Sequence, residues 1–247
     1  MNPAVSWLTN FLFTVYPYVC LSVFLLGSLV RFDRDQYTWK SDSSQLLRTG
    51  SLRWGSNLFH IGILFLLFGH FVGLLTPHWL YEGLISAPAK QRMAIYSGGA
   101  AGLVCFVGLS LLLKRRLFDA CIRLTSHCTD IAILLVVWVQ LVLGLITLPY
   151  SFHHSDASTM LVLADWAQRI TTFRPDAAGL IALDWLFQIQ LVLGMTLFLL
   201  FPLTRLVHVW SGFGTIGYLL RPRQVVRSRR LNVPVGQNQP RQPGSET

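Results

Sequence analysis

The sequence predicts an all-α integral membrane protein, a bundle of five transmembrane helices with the N-terminus outside and the C-terminus in the cytoplasm. Three observations carry this reading. The chain has 247 residues, 20 of them basic and 11 acidic, and none of these charges falls in residues 1–30, 54–81, 93–113, 131–155 or 185–204. Those windows hold 30, 28, 21, 25 and 20 residues, and a helix needs roughly 20 mainly apolar residues to cross a bilayer core. The composition is 53% hydrophobic and 13% charged. That excludes an ordinary soluble domain, in which about 25% of residues are charged, and it excludes a disordered chain. Finally, sixteen of the twenty Lys and Arg lie in the first and third connections and after the fifth window, against four in the second and fourth. Basic residues mark the cytoplasmic side. The net charge of +9 is therefore mostly topology. Nucleic-acid binding would cluster basic residues on one folded face, and no nucleic-acid partner is expected.

Span one covers about residues 7–30. No basic residue precedes it, which a removable signal peptide would need, so it is expected to remain in the membrane. Pro17 lies in its middle and should kink it, because proline removes a backbone donor. The inner connection 31–53 mixes Asp33, Asp35 and Asp42 with Arg31, Arg34, Lys40, Arg48 and Arg53. Span two covers about 58–75 and ends at Thr76-Pro77-His78-Trp79, with Trp79 and Tyr81 suited to the interfacial belt. Span three, about 93–113, stops at the inner anchor Lys114-Arg115-Arg116. Span four, about 131–148, precedes Pro149-Tyr150. In the long outer connection, Leu161–Phe173 reads as a short helix lying in the interface with Trp166 buried. Span five covers about 185–210. Residues 1–220 thus form one transmembrane domain. Residues 221–247 form a basic cytoplasmic tail, with disorder expected from about Asn232.

Four cysteines say little: Cys20 and Cys105 lie in spans, Cys121 and Cys128 near the reducing inner side. Cys121, His127 and Cys128 make a weak zinc pattern with no fourth ligand, and an ordinary structural role is the better reading. Of seven histidines, His60, His70 and His208 fall within or at the edge of the spans. An ionisable group at that depth marks a functional site, through metal ligation, proton transfer or a polar bond between helices. Span two runs outward, so His60 lies near the inner edge and His70 about 15 Å further out. Span five runs inward, so His208 shares the depth of His60. Two histidines from two helices at one depth could hold the iron of a b-type haem, with both axial positions closed. Gly55, Gly62, Gly69 and Gly73 thin span two, either to admit a porphyrin or for close helix packing. The span-five residue five turns before His208, about 27 Å outward on a continuous helix, is Gln190.

Several stretches resemble the membrane cytochrome b (gamma) subunit family of respiratory nitrate reductase. They are Val15-Tyr16-Pro17-Tyr18-Val19, Gln36-Tyr37-Thr38-Trp39, the run from Ser56 to Leu64, Gly69-His70, Leu75-Thr76-Pro77-His78-Trp79, the run from Leu112 to Phe118, and the run from Leu191 to Pro202. Together they cover about residues 11–215, in order.

The resemblance implies a bacterial inner-membrane electron conduit of anaerobic respiration. It implies quinol oxidation near the outer face and two b haems. Its partners would be an iron–sulfur (beta) subunit at the cytoplasmic face and a molybdenum-containing catalytic (alpha) subunit that reduces nitrate. It assigns His60 and His208 to the proximal haem, His70 to the distal haem, and Lys90 and Gly69 to the quinol pocket. The distal partner in the family is a histidine where this chain has Gln190. An amide is a poor ligand for haem iron, so the distal haem is expected to be weakened or lost. The other outcomes are His70 binding as sole protein ligand, or substitution by His153 or His154. Lys114, Arg115, Arg116 and Arg205 could pair with haem propionates or serve only as inner anchors. Lys90 could hydrogen-bond a quinone oxygen or simply snorkel. Two other classes remain as alternatives: a redox-inactive membrane anchor of the same complex, and a transporter using the histidines as a proton relay.

Overall fold

A computed structural model describes residues 3–34, 50–153 and 157–211. Lys40, Arg48, Asp35, Asp42, the Gln36–Trp39 stretch, His154, the side chain of His153 and the tail from residue 212 lie outside the described residues. Among the described residues every element is helical: α1 (Pro3–Asn10), a π-helical segment (Phe11–Val15), α2 (Tyr16–Arg34), α3 (Gly50–Leu75), α4 (His78–Tyr81), α5 (Ala87–Phe118), α6 (Ala120–Thr125), α7 (Cys128–His153), α8 (Ser158–Thr171), α9 (Ala178–Ile181) and α10 (Trp185–Leu200). Five stretches are long and apolar enough to cross a membrane: Trp7–Arg34, Leu52–Leu75, Ala87–Phe118, Cys128–Phe152 and Trp185–Leu203. The chain is a multi-pass membrane protein. Four of the spans reach beyond their charge-free windows: three take in Lys or Arg, whose long stems can lie along apolar surface while their heads reach water, and the one from Cys128 takes in Asp130.

Pro17 distorts the first span just before itself. The amide of Tyr16 bonds the carbonyl of Phe11, a π-type step of five residues, and such bulges are a usual cause of helix kinks. Proline has no N–H to offer the carbonyl four residues earlier, that of Phe13. The indole Nε1 of Trp166 donates to this carbonyl at 2.9 Å.

That bond shows where α8 lies. The sequence alone predicts an interfacial helix with Trp166 buried; Trp166 is buried against protein, because the helix docks on the bundle. Trp166, Ala167 and Ile170 form a buried cluster with Phe13, Ala177 and Leu180, packed against Leu74 and Leu75 of α3 and Leu191, Val192 and Met195 of α10. Gln168 Nε2 donates to the carbonyls of Leu74 and Thr76 at 3.1 and 3.3 Å, satisfying the end of α3. Tyr18 donates to the Ile170 carbonyl at 3.1 Å and stacks on Phe173, which ends α8 at φ 58°.

The most extensive helix pair is α3 with α5. Gly55 and Gly62 serve it. A Cβ on Gly62 would sit 2.7 Å from the Cys105 amide nitrogen, and one on Gly108 would meet the backbone of Phe59 and Gly55. These glycines let two backbones touch, the packing use of small residues in membranes. Gly69 and Gly73 differ, since a Cβ there meets nothing within 4 Å.

Span five is not the continuous helix to residue 210 that the apolar run predicts. α10 stops at Leu200, a 3-10 turn covers Phe201–Leu203, Thr204 is extended (φ −121°, ψ −179°), and a second 3-10 turn covers Arg205–Val207. Pro202 is the cause, lacking an N–H and clashing with the preceding turn. Arg31 from α2 donates to the carbonyls of Pro202 and Thr204 at 2.7 and 3.0 Å. Beyond the break, Trp210 donates to Ser28 Oγ at 3.2 Å and packs on Phe24 and Phe201.

Candidate functional site

The break in span five delivers His208 opposite His60. Their ring centroids lie 6.3 Å apart, with planes at 75°. Two imidazole nitrogens each about 2 Å from a shared metal, with each centroid roughly an ångström behind its nitrogen, would put the centroids about 6 Å apart. The separation of the pair is the one that a metal ion shared between two rings would need.

The hydrogen bonds of the rings fit the same chemistry. His60 Nδ1 lies 2.7 Å from the Ser56 carbonyl, with Ser56 Oγ at 3.3 Å, and His208 Nδ1 lies 2.6 Å from the Arg205 carbonyl. A carbonyl only accepts, so Nδ1 carries the proton and Nε2 keeps its lone pair. Metal-binding histidines are oriented in this way. The Ser56 bond follows from sequence, since a histidine on a helix can reach the carbonyl four residues back. The Arg205 bond depends on the 3-10 turn and has no sequence signal.

His70 has the same local arrangement, Nδ1 at 2.8 Å from the Leu66 carbonyl, and it is exposed on α3. Its expected counterpart on α10 is turned elsewhere. Gln190 Oε1 accepts from Thr147 Oγ1 of α7 at 3.3 Å, and its Nε2 lies near Gly144. Gln140 Nε2 donates to the Gln190 carbonyl at 3.0 Å. Thus Gln190 belongs to an α7–α10 polar seam, and the bond from His70 to Gln190 that span depth alone would allow is not formed. The register linking residues 190 and 208 also fails as a straight-helix measure, because the helix ends between them.

At the same end of α3 as His70, Lys90 Nζ donates to the Gly73 carbonyl at 3.4 Å and lies 3.7 Å from the centroid of the Tyr81 ring. Gly69 is one turn from Gly73, with open space at its Cβ position. Burial, and then the Glu82 charge, push the Tyr81 phenol above its ordinary range. The ring therefore stays neutral beneath the ammonium, as a cation–π contact requires. Tyr81 was legible in sequence only as an interfacial aromatic.

At the arginine-rich end, Arg116 and Arg205 both bind Asp130 Oδ2, at 3.3 and 3.4 Å. Sequence reading missed Asp130, which sits one residue outside a charge-free window. Arg115 is buried and Lys114 exposed. Cys121 and Cys128 are exposed free thiols, and no group of three potential metal ligands of the His, Cys, Asp and Glu types occurs among the described residues.

Comparison with known proteins decides the family. The sequence pattern described as nitrate reductase gamma subunit matches residues 9–229. The chain is 48% identical over 225 residues to the respiratory nitrate reductase 1 gamma chain of Escherichia coli (strain K12), covering 91% of this chain and 99% of that one. This chain belongs to the nitrate reductase gamma subunit family. A second Escherichia coli (strain K12) relative, the respiratory nitrate reductase 2 gamma chain, is 47% identical over 92% of this chain and 100% of its own length. The nitrate reductase gamma chain of Bacillus subtilis (strain 168) is 36% identical over 88% of this chain and 97% of its own. As a gamma-family protein, the chain combines a facing histidine pair at its arginine-rich end with a His70 further along α3 that no histidine faces among the described residues.

Proposed function

We propose that this chain is the membrane b-type cytochrome subunit of a nitrate reductase complex in a bacterial inner membrane. It takes electrons from membrane quinol near the outer face and passes them to an iron–sulfur subunit on the cytoplasmic side, which serves a molybdenum-containing catalytic subunit. The 6.3 Å separation of His60 and His208 carries this reading. Bound there, a b haem would supply one-electron transfer. His60 and His208 would hold the iron through Nε2, with the Ser56 and Arg205 carbonyls fixing the two ring orientations. Lys90, bonded to the Gly73 carbonyl one turn from Gly69 and with the Tyr81 ring beneath its ammonium, offers that ammonium as a donor for a quinol oxygen. The basic-residue bias sets the His60 end inward and the Lys90 end outward.

The reading includes a weakened or lost distal haem. Gln190 is a poor ligand and its amide is engaged with Thr147. This favours a second reading, in which the chain anchors the complex while quinol oxidation is impaired. Haem per chain, measured by absorbance on the purified complex, tests both. One low-spin bis-histidine centre supports the proposal, and two would refute the loss at Gln190. No haem would refute the cytochrome assignment. Quinol-dependent haem reduction then separates the conduit from the anchor.

A further inference from the structure

We propose that Asp130 is a positioning residue for His208, acting through Arg205. The inference rests on the haem reading above. Asp130 stands in the first turn of α7 and is 8% exposed. Its Oδ2 lies 3.3 Å from Arg116 NH1 and 3.4 Å from Arg205 NH1. A carboxylate this deeply buried is costly unless paired. Here the pairing joins three segments: the end of α5, the start of α7 and the turn before His208.

Arg205 has two attachments that matter. Its guanidinium is held by Asp130, and its carbonyl accepts the His208 Nδ1 proton at 2.6 Å. α10 ended at Leu200, so no continuous hydrogen-bond ladder carries its helical phase to His208. Side chains hold the connecting turn instead. Arg31 binds the Pro202 and Thr204 carbonyls from α2, while Asp130 reaches the following residue from α7. A staple between α5 and α7 would need only the Arg116 arm. The Arg205 arm extends the contact to the ligand's own acceptor. Such outer contacts fix imidazole tautomer and plane, and with them the electronic properties of a bound metal. Losing the negative charge also favours the reduced state of a nearby redox centre, since that state carries one more electron.

The test uses the full chain assembled with the other subunits in membranes. It compares wild type, Asp130→Asn and Asp130→Glu by low-spin ferric electron paramagnetic resonance, by haem midpoint potential and by haem per chain. Asp130→Asn is expected to retain the haem while shifting the low-spin signal and raising the potential, and Asp130→Glu to return both toward wild type. If Asp130→Asn does not accumulate, Arg205→Gln cuts the same link and must likewise shift the low-spin signal, while its lost positive charge moves the potential down rather than up. An unchanged low-spin signal in haem-loaded Asp130→Asn, or in Arg205→Gln when that is the readable variant, overturns the inference and leaves Asp130 a helix staple, whatever the lost charge does to the potential. A wild-type complex without low-spin haem fails one step earlier, refuting the haem reading itself.

Discussion

At the scale of single residues, the His60 and His208 rings face each other, and no histidine faces His70 among the described residues. All three rings bond a nearby carbonyl through Nδ1, so local orientation is not what separates them. The opposing residue is. His208→Ala should abolish the low-spin haem of the isolated complex, measured as haem per chain, while the five-span protein still accumulates. Gln190→His should raise haem toward two per chain and increase quinol-dependent reduction. A second haem without faster reduction would mean that electron entry is blocked elsewhere. The histidines themselves were legible as polar groups at membrane depth. The Thr147 bond that claims Gln190 was not, because it depends on which way one amide turns between two helices.

At the scale of elements, glycines on one helix serve two uses. Gly62 lies against the backbone of Cys105, whereas Gly69 faces open space. Gly62→Ala should force α3 and α5 apart and destabilise the bundle by about 1–3 kcal/mol, read as a lower thermal unfolding midpoint in detergent. Gly69→Ala should leave that midpoint unchanged. α8 provides a second contrast. Its amphipathic sequence announced a helix with a buried Trp166, but amphipathicity does not distinguish a lipid surface from a protein surface. The bond to the Phe13 carbonyl and the cluster around it identify protein. Trp166→Ala should cost about 3–5 kcal/mol by the measure of buried aromatic truncations. Faster proteolysis of the 157–184 segment would register that loss, and an unchanged cleavage rate would argue that α8 is held otherwise. Pro202, visible in the sequence, did not announce the break after it; prolines within membrane helices are often absorbed, as Pro149 is within α7.

At the scale of the whole molecule, charge absence was enough to find all five spans, because hydrocarbon excludes ions more strictly than any local propensity. It was not enough to find their ends, since Lys90 and Arg92 lie within α5. The orientation proposal has its own check. Alkaline phosphatase fused after residue 220 should be inactive, and fused into the 154–156 connection it should be active. The reverse pattern would invert the molecule. What was least legible was the arginine-rich end, where Asp130 gathers arginines from two elements distant in the chain.

The bond between Trp166 and the Phe13 carbonyl spans 153 positions of sequence, and it bears on the order in which the protein is made. During synthesis the first helix enters the bilayer with Pro17 already in place, so that the Phe13 carbonyl lacks its ordinary helical donor. The indole that serves it emerges only after the fourth crossing is complete. Until then water or lipid headgroups must solvate that carbonyl, which keeps the first helix's N-terminal half near the surface. The cap thus acts as a late fastening, and a chain truncated after the fourth span should hold its first helix more loosely than the finished protein does.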